Sequence, residues 1–420
     1  MPGAFATGAW AHFWTRFWAH VQTWRLYTLS YPGLVGLAGA AQTDGPPPAA
    51  HLWAAWAVPT LSWIAGHYLG DYFDRDLDAI GKPQRPIPSG RLSPRAAVAS
   101  GVLCALAAAV VTALAAWTAL LLVAGGMAGI VAYSKVFKGR GLSGNAVRGA
   151  LTALTVVFGA LTAGTEPRWP AVLLAALAFW AHDTASNLVG TLRDVDGDRS
   201  GGYHTLPVRR GVRYAARTAA LLYASAVVAA AACVPFAPPD GRPAFGALLL
   251  VAAVCGTVAF APLLRGAAPL TPARALRAHA VLVAERLILA GAVLAGGRGP
   301  APALAVLAPL LALSVATQAR MRTRHEFPPD NWDAEDRPEQ LPTPAAHPAT
   351  PSARRPEPGP QPGLGPEPAA SPDPVPQPDP GPERAGRRAG GGGVGERSSG
   401  ADGSPRSVRA ALRKDRPSPW

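Results

Sequence analysis

The stretch GDYFDRDLDAIGKPQRPIPSGR, residues 70–91, decides how this chain folds and what it can bind. It begins at the end of an apolar run of membrane-spanning length, carries four aspartates and continues into a basic, proline-rich turn. Carboxylates held this close together repel one another, so the pattern indicates that they bind divalent cations. The cations would in turn hold a polyanion, whose outer oxygens the neighbouring basic side chains would bind. The charged residues in question are Asp71, Asp74, Asp76, Asp78, Lys82, Arg85 and Arg91.

A second aspartate cluster, RDVDGD at residues 193–198, also follows an apolar run. Asp74 and Asp78 are four residues apart, as are Asp194 and Asp198, so each pair shares one face of a helix. Carboxylate oxygens suit Mg²⁺, which binds through a few carboxylates together with the phosphate oxygens of a substrate. The predicted metal ligands are Asp71, Asp74, Asp78, Asp194 and Asp198.

The composition predicts an integral membrane protein. The chain of 420 residues is 49% hydrophobic and 15% charged, and its apolar runs repeat up to about residue 320. A run of about 20 apolar residues spans a bilayer, and the backbone inside it must be helical. We therefore expect an all-α transmembrane bundle embedded in membrane lipids. The predicted spans are 25–42, 50–70, 94–115, 117–134, 145–164, 170–190, 213–236, 243–264, 274–296 and 300–319.

The distribution of basic residues predicts the orientation. The net charge is +13, and most lysines and arginines of the first 320 residues follow the even-numbered spans. The opposite side offers only Arg168, Arg242 and Arg298. Basic loops stay in the cytoplasm, so we expect a multi-pass cell-membrane protein with both aspartate clusters and both termini cytoplasmic. The charge therefore does not call for a nucleic-acid partner. Two cytoplasmic termini require an even number of spans, so ten spans fit this orientation. Nine spans would result only if one of the last two runs did not cross the membrane.

The two ends of the chain differ from its centre. Residues 1–24 carry tryptophans and phenylalanines at helical spacing, which predicts an amphipathic helix at the membrane surface or the aromatic start of the first span. Residues 25–320 form the predicted transmembrane domain. Residues 325–420 are rich in proline, glycine and arginine and lack large apolar side chains, so we expect a disordered cytoplasmic tail.

The two aspartate stretches resemble the signatures of a known family. Residues 70–93 are similar to an NDxxDxxxD signature followed by an RPIPSG turn, and residues 193–211 to a DxxxD segment continuing into Thr-Leu-Pro. Tyr133-Ser134, Lys138 and Gly144-Asn145 match a segment of the form YS…K…GN between them. In this order, over about residues 24–296, the chain resembles the UbiA superfamily of intramembrane prenyltransferases.

The resemblance implies a fold and a mechanism. The fold is a bundle, usually of nine helices, around a central cavity that opens laterally to lipid. Two Mg²⁺ ions bridge an allylic isoprenoid diphosphate to the protein, one held by Asp74 and Asp78 and the other by Asp194 and Asp198. The prenyl group then passes to an aromatic or lipid acceptor. The implied catalytic residues are Asp74, Asp78, Asp194, Asp198, Arg85, Lys138 and Arg193, with Lys135 as a further ligand of phosphate oxygens.

Further polar and aromatic residues are candidates for binding substrate. Polar groups at membrane depth are functional candidates by default, and aromatic faces near the site can stabilise a cation or serve only in packing. Glu285 and Arg286, in the ninth predicted span, are either a structural ion pair or part of the cavity wall. The predicted substrate-binding residues are Tyr68, Tyr133, Lys135, Asn145, Asp183 and Asn187.

The chain departs from the family pattern at Gly70, where the signature has asparagine. Glycine supplies no ligand, so we expect Asp71, His67 or a water molecule to compensate. The residues favour a Mg²⁺-dependent prenyltransferase. Two alternatives remain open at this stage: a terpene cyclase that uses the same diphosphate without an acceptor, and a non-catalytic protein that binds isoprenoids or transports cations. The sequence specifies neither the acceptor nor the donor's chain length.

Overall fold

The structure is a computed structural model that describes residues 3–265 and 270–327. Apart from two isolated bridges, these residues contain helices and connecting turns but no β-strand. The helices are α1 (Gly3–Trp24), α2 (Leu26–Ala40), α3 (Ala49–Gly81), α4 (Pro94–Ala116), α5 (Leu120–Ala132), α6 (Leu142–Thr162), α7 (Trp169–Arg193), α8 (Val195–Ser200), α9 (Leu206–Arg210), α10 (Val212–Ala231), α11 (Arg242–Leu264), α12 (Pro272–Arg298) and α13 (Pro300–Glu326).

Each of the ten predicted spans overlaps a helix of its own, from α2 to α7 and from α10 to α13, although α2 and α5 have only 15 and 13 residues. Among the described residues, seven helical stretches are long and apolar enough to cross a membrane, with α4 and α5 counted as one continuous stretch. The prediction of an all-helical chain is therefore confirmed for the described part. The number of helices that cross the bilayer stays a prediction.

Small residues let the helix backbones approach closely. A Cβ atom built on Gly36 of α2 would lie 1.9 Å from the carbonyl oxygen of Ala55 in α3. One built on Gly159 of α6 would lie 2.0 Å from the carbonyl oxygen of Gly36 itself. Such backbone-to-backbone packing is the usual way that helices associate in lipid. It fixes α2 against both α3 and α6 and so sets the width of the space between them.

Helix ends carry the two aspartate clusters. The helix α3 continues past the predicted span to Gly81, so its last turns bear the aspartates of residues 71–78. The second cluster begins where α7 ends at Arg193 and continues through the short helix α8. These polar extensions follow long, largely apolar helix bodies. The packing of the bundle therefore fixes where the charged helix ends lie, and the aspartates at each end determine what can bind there.

The two chain ends are only partly described. The N-terminal segment is helical, as predicted, and Trp10, Phe13 and Trp18 on it are exposed; its place at a membrane surface stays a prediction. At the other end, α13 continues to Glu326, two residues into the predicted tail. The remainder of that tail, from residue 328, lies outside the described residues.

Candidate functional site

A cavity of about 580 Å³ lies between α2, α3, α5, α6, α7, α12 and α13. Both aspartate clusters line it, although they lie more than 100 residues apart in the chain. The cavity continues along apolar side chains of α3 and α5, among them Val58, Leu122 and Ile130. A highly charged region and an apolar region therefore belong to one continuous space.

Asp71, Asp74 and Asp78 of α3 are buried and each is paired with a basic side chain, whereas Asp76 is exposed. Asp71 accepts a hydrogen bond of 2.6 Å from Arg25, and Asp74 accepts one from Lys138. Arg85 donates to both oxygens of Asp78 at 2.9 and 2.8 Å. Such charge-assisted contacts are the strong class of hydrogen bond. The predicted diphosphate ligands Arg85 and Lys138 therefore lie directly against the predicted metal ligands.

The second cluster is held in the same manner. Arg193 donates from two nitrogens to the two oxygens of Asp194 at 3.0 and 2.7 Å, and Lys82 also reaches Asp194 at 3.2 Å. Asp198 accepts a hydrogen bond of 3.0 Å from the Thr205 hydroxyl. Burial, together with the nearby Asp194 carboxylate, raises the pKa of Asp198 to about 6. Asp198 is thus a carboxylate whose negative charge lacks a close cationic partner within the described residues.

Glu326, the last residue of α13, closes the charged end of the cavity. One carboxylate oxygen lies 3.0 Å from the Lys82 ammonium and 3.3 Å from an Arg85 nitrogen, and the other lies 3.2 Å from an Arg193 nitrogen. Its side chain is only 9% exposed. A single carboxylate therefore bridges the basic residues of both clusters.

A short π-helical turn, Tyr133–Phe137, decides which basic residue of that segment faces the cavity. The Lys138 amide donates to the Tyr133 carbonyl across five residues at 2.8 Å, so these two residues share a face and both line the cavity. Lys135 points the other way, is exposed, and lies 5.0 Å from the Phe73 ring centroid. The structure thus brings Lys138 and Tyr133 to the cavity wall but does not bring Lys135 there.

Three predicted substrate-binding residues lie where α6 meets α7 and line the cavity. With its amide oriented to satisfy its neighbours, Asn145 accepts hydrogen bonds from the Asn187 side chain at 3.0 Å and the Leu188 amide at 3.1 Å. Asp183 accepts hydrogen bonds from the Tyr31 hydroxyl at 3.0 Å and from Thr152. All three are fixed by neighbours before any ligand arrives.

Tyr68 does not line the cavity, contrary to the prediction. It is buried on the opposite side of α3, where its hydroxyl accepts a hydrogen bond of 2.7 Å from Trp24 and contacts the His20 ring at 2.6 Å. The reason is the helical period: Tyr68 precedes Asp74 by six residues, which places it well away from the aspartate face. Tyr68 anchors α1 to α3 instead.

The space beside Gly70 is open, since a Cβ atom built there would have no neighbour within 4 Å. His67 is one turn away and lines the cavity, but its Nδ1 is engaged by the Trp24 carbonyl at 3.0 Å. Asp71 is engaged through one oxygen by Arg25, while its other oxygen is buried without a hydrogen-bond partner in the described part of the chain. Asp71 thus retains a free ligand atom, and His67, whose Nδ1–H donates to the Trp24 carbonyl, keeps its Nε2 lone pair for a ligand.

Glu285 and Arg286 do not pair with each other. Glu285 contacts His182 at 2.5 Å and accepts a hydrogen bond of 3.1 Å from the Tyr223 hydroxyl, away from the cavity. Arg286 lines the cavity. Adjacent residues on a helix point about 100° apart, so one belongs to the interior of the bundle and the other to the cavity wall.

The donor set suits Mg²⁺, although the carboxylates are paired with basic side chains. Within residues 3–265 and 270–327, no three acidic, histidine or cysteine side chains are close enough together to hold a metal ion. Nevertheless, one oxygen each of Asp71 and Asp74 is buried without a hydrogen-bond partner in this part of the chain. Buried carboxylate oxygens of this kind favour a hard cation. Metal binding would require Lys138 and Arg85 to move from the aspartates onto another anion.

Two residues of the charged region were missed at the sequence level. Arg25 precedes its partner Asp71 by 46 residues, and Glu326 follows Arg85 by 241. Neither belongs to a local motif, and position 326 falls within the predicted tail. The only available signal for Arg25 was a lone arginine at the start of the first span.

Comparison with known proteins places these features in a family. The model of the UbiA prenyltransferase family matches residues 29–284. The digeranylgeranylglyceryl phosphate synthase of Natronomonas pharaonis is 36% identical over 208 residues, which cover 49% of this chain and 72% of the relative. The synthase of the same name from Haloquadratum walsbyi is 36% identical over 201 residues, which cover 48% and 68%.

Solved structures share the fold. A UbiA homologue from Archaeoglobus fulgidus, bound to GPP and Mg²⁺, superposes with a TM-score of 0.54 at 15% identity, covering 72% of this chain and 99% of the other. A structure of a digeranylgeranylglyceryl phosphate synthase gives a TM-score of 0.51 at 20% identity, covering 67% and 98%. At these identities the likeness concerns the fold alone.

Proposed function

This chain belongs to the UbiA prenyltransferase family, and we propose that it transfers a geranylgeranyl group from its diphosphate to the hydroxyl of an isoprenoid glycerophosphate. It is a prenyltransferase and a multi-pass membrane protein. The proposed acceptor class is supported by relatives that are 36% identical and named for the product digeranylgeranylglyceryl phosphate. The observation that carries the proposal is the meeting of two aspartate clusters and their basic partners at one end of a partly apolar cavity.

The carboxylates would hold the metal. Asp74 and Asp78 would bind one Mg²⁺ and Asp194 and Asp198 a second, with Asp71 available to the first through its unpaired oxygen. The bound metal would neutralise charge on the diphosphate and so make it a better leaving group. A homologue of this fold binds Mg²⁺ together with an isoprenoid diphosphate, which supports Mg²⁺ as the metal. The number of ions is part of the proposal.

The basic side chains would change partners when the donor binds. Arg85, Lys138 and Arg193 neutralise aspartates in the structure described here. Once metal neutralises those aspartates, the same three residues would donate to outer oxygens of the diphosphate. Positioned cations stabilise charge that develops on a leaving group. Tyr133, Asn145, Asp183 and Asn187 would line the space in which the acceptor lies.

The reaction exchanges one carbon–oxygen bond for another and moves one proton. The bond between C1 of the geranylgeranyl group and the diphosphate oxygen breaks, and the diphosphate leaves with the electron pair. An oxygen of the glycerol hydroxyl forms the new ether bond to C1, and its proton passes to the departing diphosphate. Exclusion of bulk water from the apolar part of the cavity would protect the allylic cation from hydrolysis.

The domain organisation and orientation remain part of the proposal. Residues 25–320 would form the catalytic domain, residues 1–24 a helix at the membrane surface and residues 325–420 a disordered cytoplasmic tail. The concentration of lysine and arginine on the side of both aspartate clusters supports a cytoplasmic active site. Single cysteines introduced at the exposed residues Ser89 and Asp240, with the native cysteines Cys104, Cys233 and Cys255 replaced, would test the orientation through their reaction with a membrane-impermeant maleimide. Labelling of Ser89→Cys is expected from the cytoplasmic side only.

The test of function uses the purified full-length protein in lipid nanodiscs. We expect geranylgeranyl diphosphate and geranylgeranylglyceryl phosphate to be converted, in the presence of Mg²⁺, to digeranylgeranylglyceryl phosphate and diphosphate, with mass spectrometry as readout. EDTA should abolish the reaction. Release of a hydrocarbon without acceptor would instead identify a cyclase. Binding of the diphosphate without any turnover would identify a non-catalytic isoprenoid-binding protein.

A further inference from the structure

Two arginines line the same cavity away from the aspartate clusters: Arg148 on α6 and Arg286 on α12. Within the described residues, no carboxylate lies within 4.0 Å of either guanidinium group. Arg286 is only 6% exposed, yet its Nε and one Nη are buried without a hydrogen-bond partner in this part of the chain. Each lost hydrogen bond of a buried charged group is costly. The two positive charges therefore call for a counter-ion that the nearby protein does not supply.

Aromatic rings hold these arginines in place without satisfying their N–H groups. The Arg148 Cζ lies 4.0 Å from the centroid of the Trp63 ring, and the Arg286 Cζ lies 5.8 Å from the same ring. Arg286 also lies 4.1 Å from the Tyr31 ring centroid. Stacking on a ring leaves the edge of a guanidinium group free to donate in its own plane. Both side chains are thus oriented in advance, and two buried nitrogens of Arg286 have no acceptor among the described residues.

The nearest candidate counter-ion, Asp183, is already engaged. Its two oxygens accept hydrogen bonds from Tyr31 and Thr152. It also lies 3.6 Å from the His182 ring. The negative charge of Asp183 lowers the cost of burying the two positive charges, but Asp183 forms no ion pair with either arginine. The planar, forked arrangement of arginine donors matches the oxygens of a phosphate or carboxylate group.

This arginine pair is separate from the predicted diphosphate site. Trp63, against which both arginines lie, precedes Asp74 by eleven residues on the continuous helix α3. Eleven residues correspond to about 16 Å along a helix axis. The cavity therefore has two positively charged regions, one with carboxylates suited to metal and one without. Two phosphorylated groups can be held in it at once without sharing a site.

We propose that Arg148 and Arg286 bind the phosphate of the acceptor and thereby select a phosphorylated glycerolipid over its neutral counterpart. This inference rests on the proposed function for the identity of the acceptor, whereas the preference for an oxyanion rests on the arginines themselves. The arginines act as specificity-determining residues: they bind the phosphate at one end of the acceptor and leave its hydroxyl facing the donor. The acceptor is therefore anionic, and its charge contributes to its affinity.

The test compares two acceptors, geranylgeranylglyceryl phosphate and geranylgeranylglycerol, which lacks the phosphate. In the wild-type protein, kcat/KM should be higher for the phosphate. Arg148→Gln and Arg286→Gln should each raise the acceptor KM about 10- to 100-fold, as expected for loss of one charge-assisted contact. Neither variant should change the KM for geranylgeranyl diphosphate or the rate with geranylgeranylglycerol by more than about twofold. Arg217→Gln, on an exposed part of α10, is the matched control.

A binding measurement separates this inference from the proposed reaction. Geranylgeranylglyceryl phosphate should raise the Tm of the wild-type and Arg217→Gln proteins but not that of the Arg148→Gln or Arg286→Gln proteins, whether or not turnover occurs. If the variants still bind the phosphate and retain the preference for it, the arginines do not form the acceptor site. If wild-type protein binds the phosphate through these arginines but transfers nothing to it, the proposed reaction fails and the anion site stands.

Discussion

Glu326 is expected to compete with the donor for the basic end of the cavity. Its carboxylate lies 3.0 to 3.3 Å from nitrogens of Lys82, Arg85 and Arg193. Of these three residues, Arg85 and Arg193 are proposed to bind diphosphate oxygens. If the donor binds only to molecules in which Glu326 has released these cations, its apparent affinity is reduced by the fraction of molecules in that state. Replacing Glu326 by glutamine keeps the shape of the side chain and removes its charge, so the variant should bind the donor more tightly.

The size of the effect follows from the contacts. A hydrogen bond to a charged group contributes about 1.5–3 kcal/mol in mutational series. The cost of desolvating a buried carboxylate offsets much of the summed free energy of its three contacts. The expected effect is therefore the free energy of a single contact. About 1.4 kcal/mol corresponds to a factor of ten, which predicts a donor dissociation constant about 10- to 100-fold lower in Glu326→Gln. Thermal stability should fall at the same time, because three cations lose a counter-ion.

The assay is a calorimetric titration with geranylgeranyl thiodiphosphate, an unreactive donor analogue, at fixed Mg²⁺. Glu166→Gln is the matched control, since Glu166 is exposed in the loop between α6 and α7, at the other end of these helices. The affinity of Glu166→Gln for the donor analogue should equal that of the wild-type protein. Weaker donor binding by Glu326→Gln would refute the reasoning, because Glu326 would then support the donor site rather than occupy it.

Three further outcomes are expected. Lys138→Met should lower kcat about 100- to 1000-fold by removing one of the positioned cations of the site, whereas Lys135→Met, on the exposed side of the same turn, should keep more than about half of the activity; equal losses would contradict the assignment. Gly70→Asn should preserve activity or lower the Mg²⁺ concentration for half-maximal rate, because the space beside Gly70 is open; a tenfold loss of kcat would show that the glycine itself is required. Gly36→Ala should lower the free energy of unfolding by about 1–3 kcal/mol or more through overpacking against a backbone carbonyl, while Gly246→Ala, with no neighbour within 4 Å of the added Cβ, should leave Tm nearly unchanged.

The helices and the aspartate clusters could be predicted because their signals are local. Apolar length marks a span, and a four-residue spacing puts two carboxylates on one helix face. The meeting of Asp74 and Asp194 in one cavity also follows once both lie at the same end of the bundle. Asn145, Asp183 and Asn187 were found through the resemblance or through their polarity inside spans.

The errors arose where the direction of a side chain depends on geometry that the sequence does not display. The π-helical turn at Tyr133–Phe137 adds one residue to a helical turn, which directs Lys138 into the cavity and Lys135 out of it. Tyr68 lies close to the aspartates along the helix but on another face. Glu326 was beyond the reach of any local pattern, since each of its three partners lies more than 100 residues earlier in the chain.

The cooperation of the two clusters is tested most directly by the rate of Mg²⁺-dependent transfer in single aspartate variants. Asp74→Asn and Asp194→Asn should each lower kcat at least about 1000-fold, since a charge-stabilising group would be lost from the same diphosphate site. Asp76→Asn, which changes an exposed aspartate of the same helix, should retain the wild-type rate. Near-normal transfer by either Asp74→Asn or Asp194→Asn would contradict a single active site built from both clusters.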